Sequence, residues 1–118
     1  MSDKAIEQEI QAKGLTAPRI TPDILEANIA GEYYFTAAEG TGVPPFSGPD
    51  GTRHPLELLT FCILVTRNGF TVTGQSACAS PSNFDEELGR KLAREKAVDE
   101  LWPLMGYELK QRLHEGRA

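Results

Sequence analysis

Positive charge, histidine and cysteine are all scarce in this 118-residue chain, and each shortage closes a class of function. Lys and Arg number 12 against 17 Asp and Glu, for a formal net charge of −5 and a pI near 5.0. Bulk nucleic-acid binding needs a basic footprint and is excluded on this balance, whereas a small anion held by a few local cations is not. No apolar run approaches the roughly 20 residues that cross a bilayer. The first residues, MSDKAIEQEIQAKG, contain no apolar signal core, so a cytoplasmic chain without a membrane partner is expected. The two histidines, His54 and His114, are far apart and have no companion ligands, and the two cysteines form no CxxC pair, so no metal or cofactor is expected. A Ser-His-Asp set, HExxH, a Walker loop and a dinucleotide fingerprint are all missing. Gly40 and Gly42 do not lead from a strand into a helix at phosphate-loop spacing. Acidic neighbours such as Asp85-Glu86 have no evident partner for acid–base work, and a non-enzymatic protein is the expectation.

What the chain does contain is one organised stretch, Leu58 to Trp102. It reads as an apolar strand, a turn at Asn68-Gly69, a second strand and a long amphipathic helix. The length suits one domain over residues 1–118, of α+β class: a small antiparallel sheet built on the Asn-Gly hairpin, with a long C-terminal helix packed on one face. Residues 1–19 form an N-terminal helix or arm, capped by Ser2 and stopped by Gly14. Thr21-Pro22-Asp23 opens a second helix running to about Ala30, with Ile24, Leu25 and Ile29 inward, and Glu32–Ala38 suits a strand. Residues 39–55, rich in Gly and Pro, read as a flexible loop.

A two-residue turn makes Arg67 face Phe70 and fixes the register of strands 57–66 and 70–77. Leu59, Phe61, Ile63, Val65, Phe70 and Val72 then share the core face, with Gly74 opposite Ile63 making room for a helix. Thr60, Cys62, Leu64 and Thr66 fall on a semi-polar face, and Cys62 and Cys78 are kept on opposite sides, so reduced thiols are expected. Asn83 with Glu86 has capping-box spacing, with Ser80-Pro81 as an alternative start, and Pro103 should stop the helix at Trp102 before a short final helix at 107–115. Gly89, Ala93 and Ala97 make a small-residue stripe that permits close approach to the sheet or to another helix. The semi-polar strand face and that stripe together favour a homo-oligomer.

Five residues have the chemistry to hold a small anionic ligand. Asn83 can read the edge of a base and Phe84 can stack on it beside a helix N-terminus; equally, Asn83 caps the helix and Phe84 packs in the core. Arg90 and Arg94, four apart on one helix face, can grip phosphates, or can pair with nearby acids as Glu86–Arg90 spacing allows. Arg53, beside His54 on the loop, is the other anion candidate. Tyr33, Tyr34 and Phe35 offer a stacking platform or an edge strand half in the core.

The stretch NGFTVTGQSACASPSNFDEELGRKLAREKAVDELWPLMGY, with ITPDILEANI and EYYFTAA upstream, resembles the gp-forty-nine-like family of phage proteins (podophage gp-forty-nine and gene-sixty-six), over about residues 20–109. The resemblance implies a phage or prophage gene acting in an infected or lysogenic bacterial host. The hairpin–helix plan is also similar to the Thoeris anti-defence proteins of type one, oligomeric sponges for cyclic ADP-ribose isomers and, in some cases, cyclic dinucleotides. That likeness implies a counter-defence protein whose partner is a small nucleotide signal, sequestered without degradation, with Asn83, Phe84, Arg90, Arg94 and Arg53 supplying the residue types such binding needs. The alternative is a phage accessory protein that binds a host or virion protein and no small molecule.

Overall fold

A computed structural model of the protein describes residues 3–46, 48–49 and 51–117. The elements run α1 (Asp3–Ala12), α2 (Pro22–Ala27), β1 (Ile29–Thr36), α3 (Ala37–Thr41), β2 (Leu59–Thr66), β3 (Thr71–Ala77) and α4 (Glu86–His114), with 3₁₀ turns at Pro55–Leu58 and Pro81–Asn83. The three strands form one antiparallel sheet in the order β1-β2-β3, with α4 on one face. This is the expected α+β plan.

The hairpin is present, but its turn is one residue longer than expected. The Thr66 amide donates to the Phe70 carbonyl at 2.8 Å, leaving Arg67, Asn68 and Gly69 in the loop. A two-residue turn with positive φ at both centres is ruled out here, because only Gly69 (φ +87°) has positive φ. Asn68 instead accepts from the Thr66 hydroxyl at 2.6 Å and the Phe70 amide at 3.1 Å. The register therefore shifts by one, pairing Cys62 with Gly74 and Leu64 with Val72. A slip of one residue turns every side chain of a strand to the other face. The buried face carries Thr60, Cys62, Leu64, Thr66, Val72 and Ser76, while Leu59, Phe61, Ile63 and Val65 lie half-buried on the face away from α4. Val72 and Gly74 are on the expected face; their β2 partners are the opposite set. Cys62 and Cys78 are free and share one side of the sheet, about 13 Å apart at a rise of about 3.3 Å per residue, too far for a disulfide.

The reason the helix chooses this face is Gly74. A Cβ built there would lie 2.1 Å from the Ala93 carbonyl oxygen and 2.3 Å from the Ala97 nitrogen, so strand and helix backbones touch directly. Ala93 and Ala97 are fully buried, and the small-residue stripe is consumed within the chain. One turn earlier, the Ser76 hydroxyl donates to the Gly89 carbonyl at 2.7 Å. Leu25, Cys62, Leu64, Val72, Val98 and Leu101 complete the core around these contacts.

Other boundaries moved for local reasons. Thr21 caps α2 as expected, accepting from Ile24 N at 3.1 Å, but α2 ends at Ala27. The Asn28 carbonyl accepts from Arg67 N, and Ile29 already pairs with Thr66, so sheet pairing takes the backbone that a longer helix would use. Leu25 is buried, Ile29 packs against the core, and Ile24 is exposed. Within the expected strand-to-loop region, Thr36 and Glu39 form a capping box that starts α3 at Ala37, and Gly42 (φ +77°) ends it. Asp85, not Asn83, caps α4, accepting from Leu88 N at 3.0 Å. α4 runs through Pro103 to His114 as one helix, because Trp102 and Met105 on either side of the proline both pack on the core. The loss of one amide donor does not outweigh that packing. The expected Ser2 cap lies outside the described residues; Gly14 (φ +66°) follows α1, none of whose residues is buried.

Candidate functional site

Chain order puts Arg53 and Phe84 31 positions apart, and the fold brings them together. The 3₁₀ turn at Pro55 packs beside α3, and the turn before α4 carries Phe84 to Arg53 just upstream of it. The Arg53 guanidinium lies over the Phe84 ring, 5.4 Å from its centroid, at a cleft of about 490 Å³. Val43 and Pro44 supply an apolar wall, and Glu39, Glu57 and Glu86 supply carboxylates.

Each carboxylate has structural work as well. Glu39 accepts from the Thr36 amide and hydroxyl, both at 3.1 Å. Glu57 accepts from the His54 amide at 2.8 Å, while His54 Nδ1 accepts from Leu56 N at 3.1 Å and so holds the 3₁₀ turn. Glu86 pairs with Arg90 at 2.7 Å. Carboxylates are acceptors only, so Glu39, Glu57 and Glu86 suit N–H donors and repel phosphate oxygens, while Arg53 in the same lining and neighbouring Arg90 are where negative charge is tolerated.

Of the five residues expected to bind ligand, Arg53 and Phe84 thus share one site. Arg90 adjoins it through Glu86 and rests 5.9 Å from the Tyr34 ring centroid. Asn83 is exposed in the 3₁₀ turn next to Phe84 but does not line the cleft. Arg94 is elsewhere: its guanidinium forks onto Glu26 (2.7 and 3.1 Å) and reaches Glu32 at 2.7 Å, tying α4 to α2 and β1. The Glu26 hydrogen bonds raise the Arg94 pKa above its ordinary value, and the Glu32 bond adds to this against burial. Burial pushes the Glu32 carboxyl up, but hydrogen bonds from Arg94 and Tyr34 outweigh it and hold it below the usual range. The Tyr34 hydroxyl is raised by burial and by its 2.8 Å bond to Glu32, and the Cys62 thiol is raised by burial. Arg94 is a clamp rather than a waiting phosphate ligand.

The cleft's acids were not among the expected site residues, although Thr36-x-x-Glu39 is a readable capping signal. A second, apolar groove of about 540 Å³ was also unforeseen; it lies at the hairpin end between Ile24, Phe70, Leu101, Leu104 and Met105, with Arg67 at its border. Among the described residues no group of His, Cys, Asp or Glu could hold a metal ion, and no helix is long and apolar enough to cross a membrane.

Fold and cleft together define a small two-layer α+β protein with one mixed-charge cleft and one apolar groove. Residues 20–113 match the family model described as phage protein (N4 Gp49/phage Sf6 gene 66), and the chain belongs to that family. No curated protein and no solved structure matches it.

Proposed function

We propose that this phage-family protein is a counter-defence protein that binds and sequesters a cyclic nucleotide immune signal, a cyclic ADP-ribose isomer or a cyclic dinucleotide, without degrading it. The observation that carries the reading is the Arg53–Phe84 pair in the lining of the 490 Å³ cleft. A base enters and stacks on Phe84, displacing the guanidinium; its N–H groups meet the carboxylates, and its phosphates stay near Arg53 and Arg90. Base stacking on an aromatic contributes about 1–3 kcal/mol. The test is a thermal-shift titration with each cyclic nucleotide, followed by mass spectrometry of what denatured protein releases. Intact ligand and a raised Tm, both lost in Phe84→Ala, are expected by linkage. No shift with any of them well above micromolar concentration removes the reading, and released hydrolysis products would make the protein an enzyme instead.

A second reading, an accessory protein that binds a host or virion protein, is favoured by the sheet face turned away from α4. There Tyr33 is 59% exposed beside half-buried Phe61, Ile63 and Val65, and Phe35 stacks on Phe61 with centroids 5.2 Å apart. A polypeptide that binds purified protein and is lost on Ile63→Glu supports that reading over the first.

A further inference from the structure

Among the described residues nothing pairs with the outer edge of β3. The bonds Thr66 N to Phe70 O and Cys78 N to Leu58 O show that even-numbered residues of this strand face β2, so Thr71, Thr73, Gln75 and Ala77 direct their N–H and C=O groups outward. Native sheets blunt such edges with charge, proline or a bulge. β1, the opposite edge, has a bulge between Ile29 and Gly31 and the charge of Glu32. β3 has none of these: no charged side chain occurs from Asn68 to Phe84, in a chain of which 25% is charged.

The helix above this edge matches it. α4 rests between β2 and β3: a Cβ at Gly89 would touch Thr60 and Ser76, and Ala93 and Ala97 lie on Gly74. At 100° per residue, Arg94 lies about 100° round from Ala93 on the β1 side, where it reaches Glu32. Lys96 and Glu100 lie on the other side, about 60° and 20° from Ala93, toward the free edge of β3. Both are exposed, and neither has an ion-pair partner among the described residues.

We propose that the β3 edge is the interface with a second copy of this chain, two β3 strands pairing antiparallel about a two-fold axis to make one six-stranded sheet. An axis at Thr73 pairs Thr71 with Gln75 of the second copy. It sets the two α4 helices antiparallel on one face, about two strand spacings or 10 Å apart, the distance at which helices pack. Across that axis Lys96 of each copy meets Glu100 of the other, so charges that are unpaired in one chain are complementary in two. Each chain has a net charge of −5, and this charge-free strand lets two copies meet without like charges opposed. A second copy fits better than an unrelated strand because it alone supplies the matching Lys96 and Glu100.

The test is the mass of the full chain by light scattering across a dilution series up to about 100 µM, where association at micromolar Kd is complete. The expected species is about 26 kDa, twice the 12.9 kDa chain. Thr73→Pro removes an outward amide that β2 does not use, and should give a folded monomer by circular dichroism. If that variant does not fold, Glu100→Lys decides. It places like charges across the axis and should weaken the dimer roughly tenfold or more, and Lys96→Glu added to it should restore the pair with its charges exchanged. A chain that is monomeric throughout overturns the proposal. So does a dimer that ignores Glu100→Lys, or one dispersed only by Phe61→Glu, which assigns the contact to the open sheet face.

Discussion

Replacing Gly74 by alanine adds one methyl group and should destabilise the domain by forcing β3 and α4 apart. The new Cβ would lie 2.1 Å from the Ala93 carbonyl oxygen, 2.3 Å from Ala97 N and 2.9 Å from the Lys96 carbonyl carbon. Carbon contacts are comfortable at about 3.5–4.0 Å, so β3 and α4 must part by about 1–2 Å. All three obstacles are backbone atoms of a hydrogen-bonded helix; no side-chain rotamer relieves the clash, and truncating Ala93 to glycine does not either. Parting the layers loosens Ala93, Ala97 and Leu101 from Cys62, Leu64 and Val72 together. Overpacking in a core typically costs about 1–3 kcal/mol, and backbone on both sides puts this case at or above the upper end. About 3 kcal/mol in a domain of this size lowers Tm by about 10–15 °C. Gly106→Ala is the matched control: a Cβ there meets nothing within 4 Å, and the helix interior gains about 0.5–1 kcal/mol. Thermal unfolding by circular dichroism reads both. A Gly74→Ala protein within about 3 °C of wild type would refute the direct strand–helix contact.

Two further outcomes follow from the same geometry. Arg94→Ala should cost about 1–2 kcal/mol, because it strands Glu26 and Glu32 around a half-buried position. Since the Glu32 pKa is depressed in the folded state, its contribution is fully present above about pH 4.3 and lost as pH falls through the native value; Arg94→Ala should flatten the acid limb of a Tm-versus-pH curve. Asp85→Ala should cost about 1 kcal/mol by removing the α4 cap, whereas Asn83→Ala should change urea-unfolding stability by less than about 0.5 kcal/mol; the reverse order would return the cap to Asn83.

The class of fold was legible because Asn68-Gly69, the capped turn before α4 and the spacing of Gly89, Ala93 and Ala97 are local signals that agree with one another. The buried face of β2 was not. Its odd-numbered side chains, Leu59, Phe61, Ile63 and Val65, are the more apolar set, and pattern alone assigns them to the core. What decides is a non-local fact: only the face bearing Gly74 admits the helix backbone, and the length of the turn puts Cys62 and Leu64 beside it. The turn length rests on one φ angle at Asn68, which Asn-Gly sequences leave open between two- and three-residue loops. In the candidate site, Arg53 and Phe84 were readable as residue types, but their meeting depends on an irregular segment that has no periodicity to follow. Arg94 illustrates the opposite limit, since nothing in a helix pattern shows that Glu26 and Glu32 will take its guanidinium.

The 29-residue α4 outruns its support. At 1.5 Å per residue it is about 44 Å long, against about 27 Å for an eight-residue strand, and its buried residues all lie between Ala93 and Leu101. Pro103 leaves the Asp99 carbonyl without its usual amide, and beyond it Tyr107 is 75% exposed. Support for the helix thus fades past Met105, the last residue beyond the proline that packs on the core. Amides from about Gly89 to Leu101 should exchange with solvent only when the whole domain opens, and those past Gly106 through local fraying, a difference that native-state hydrogen exchange reads directly.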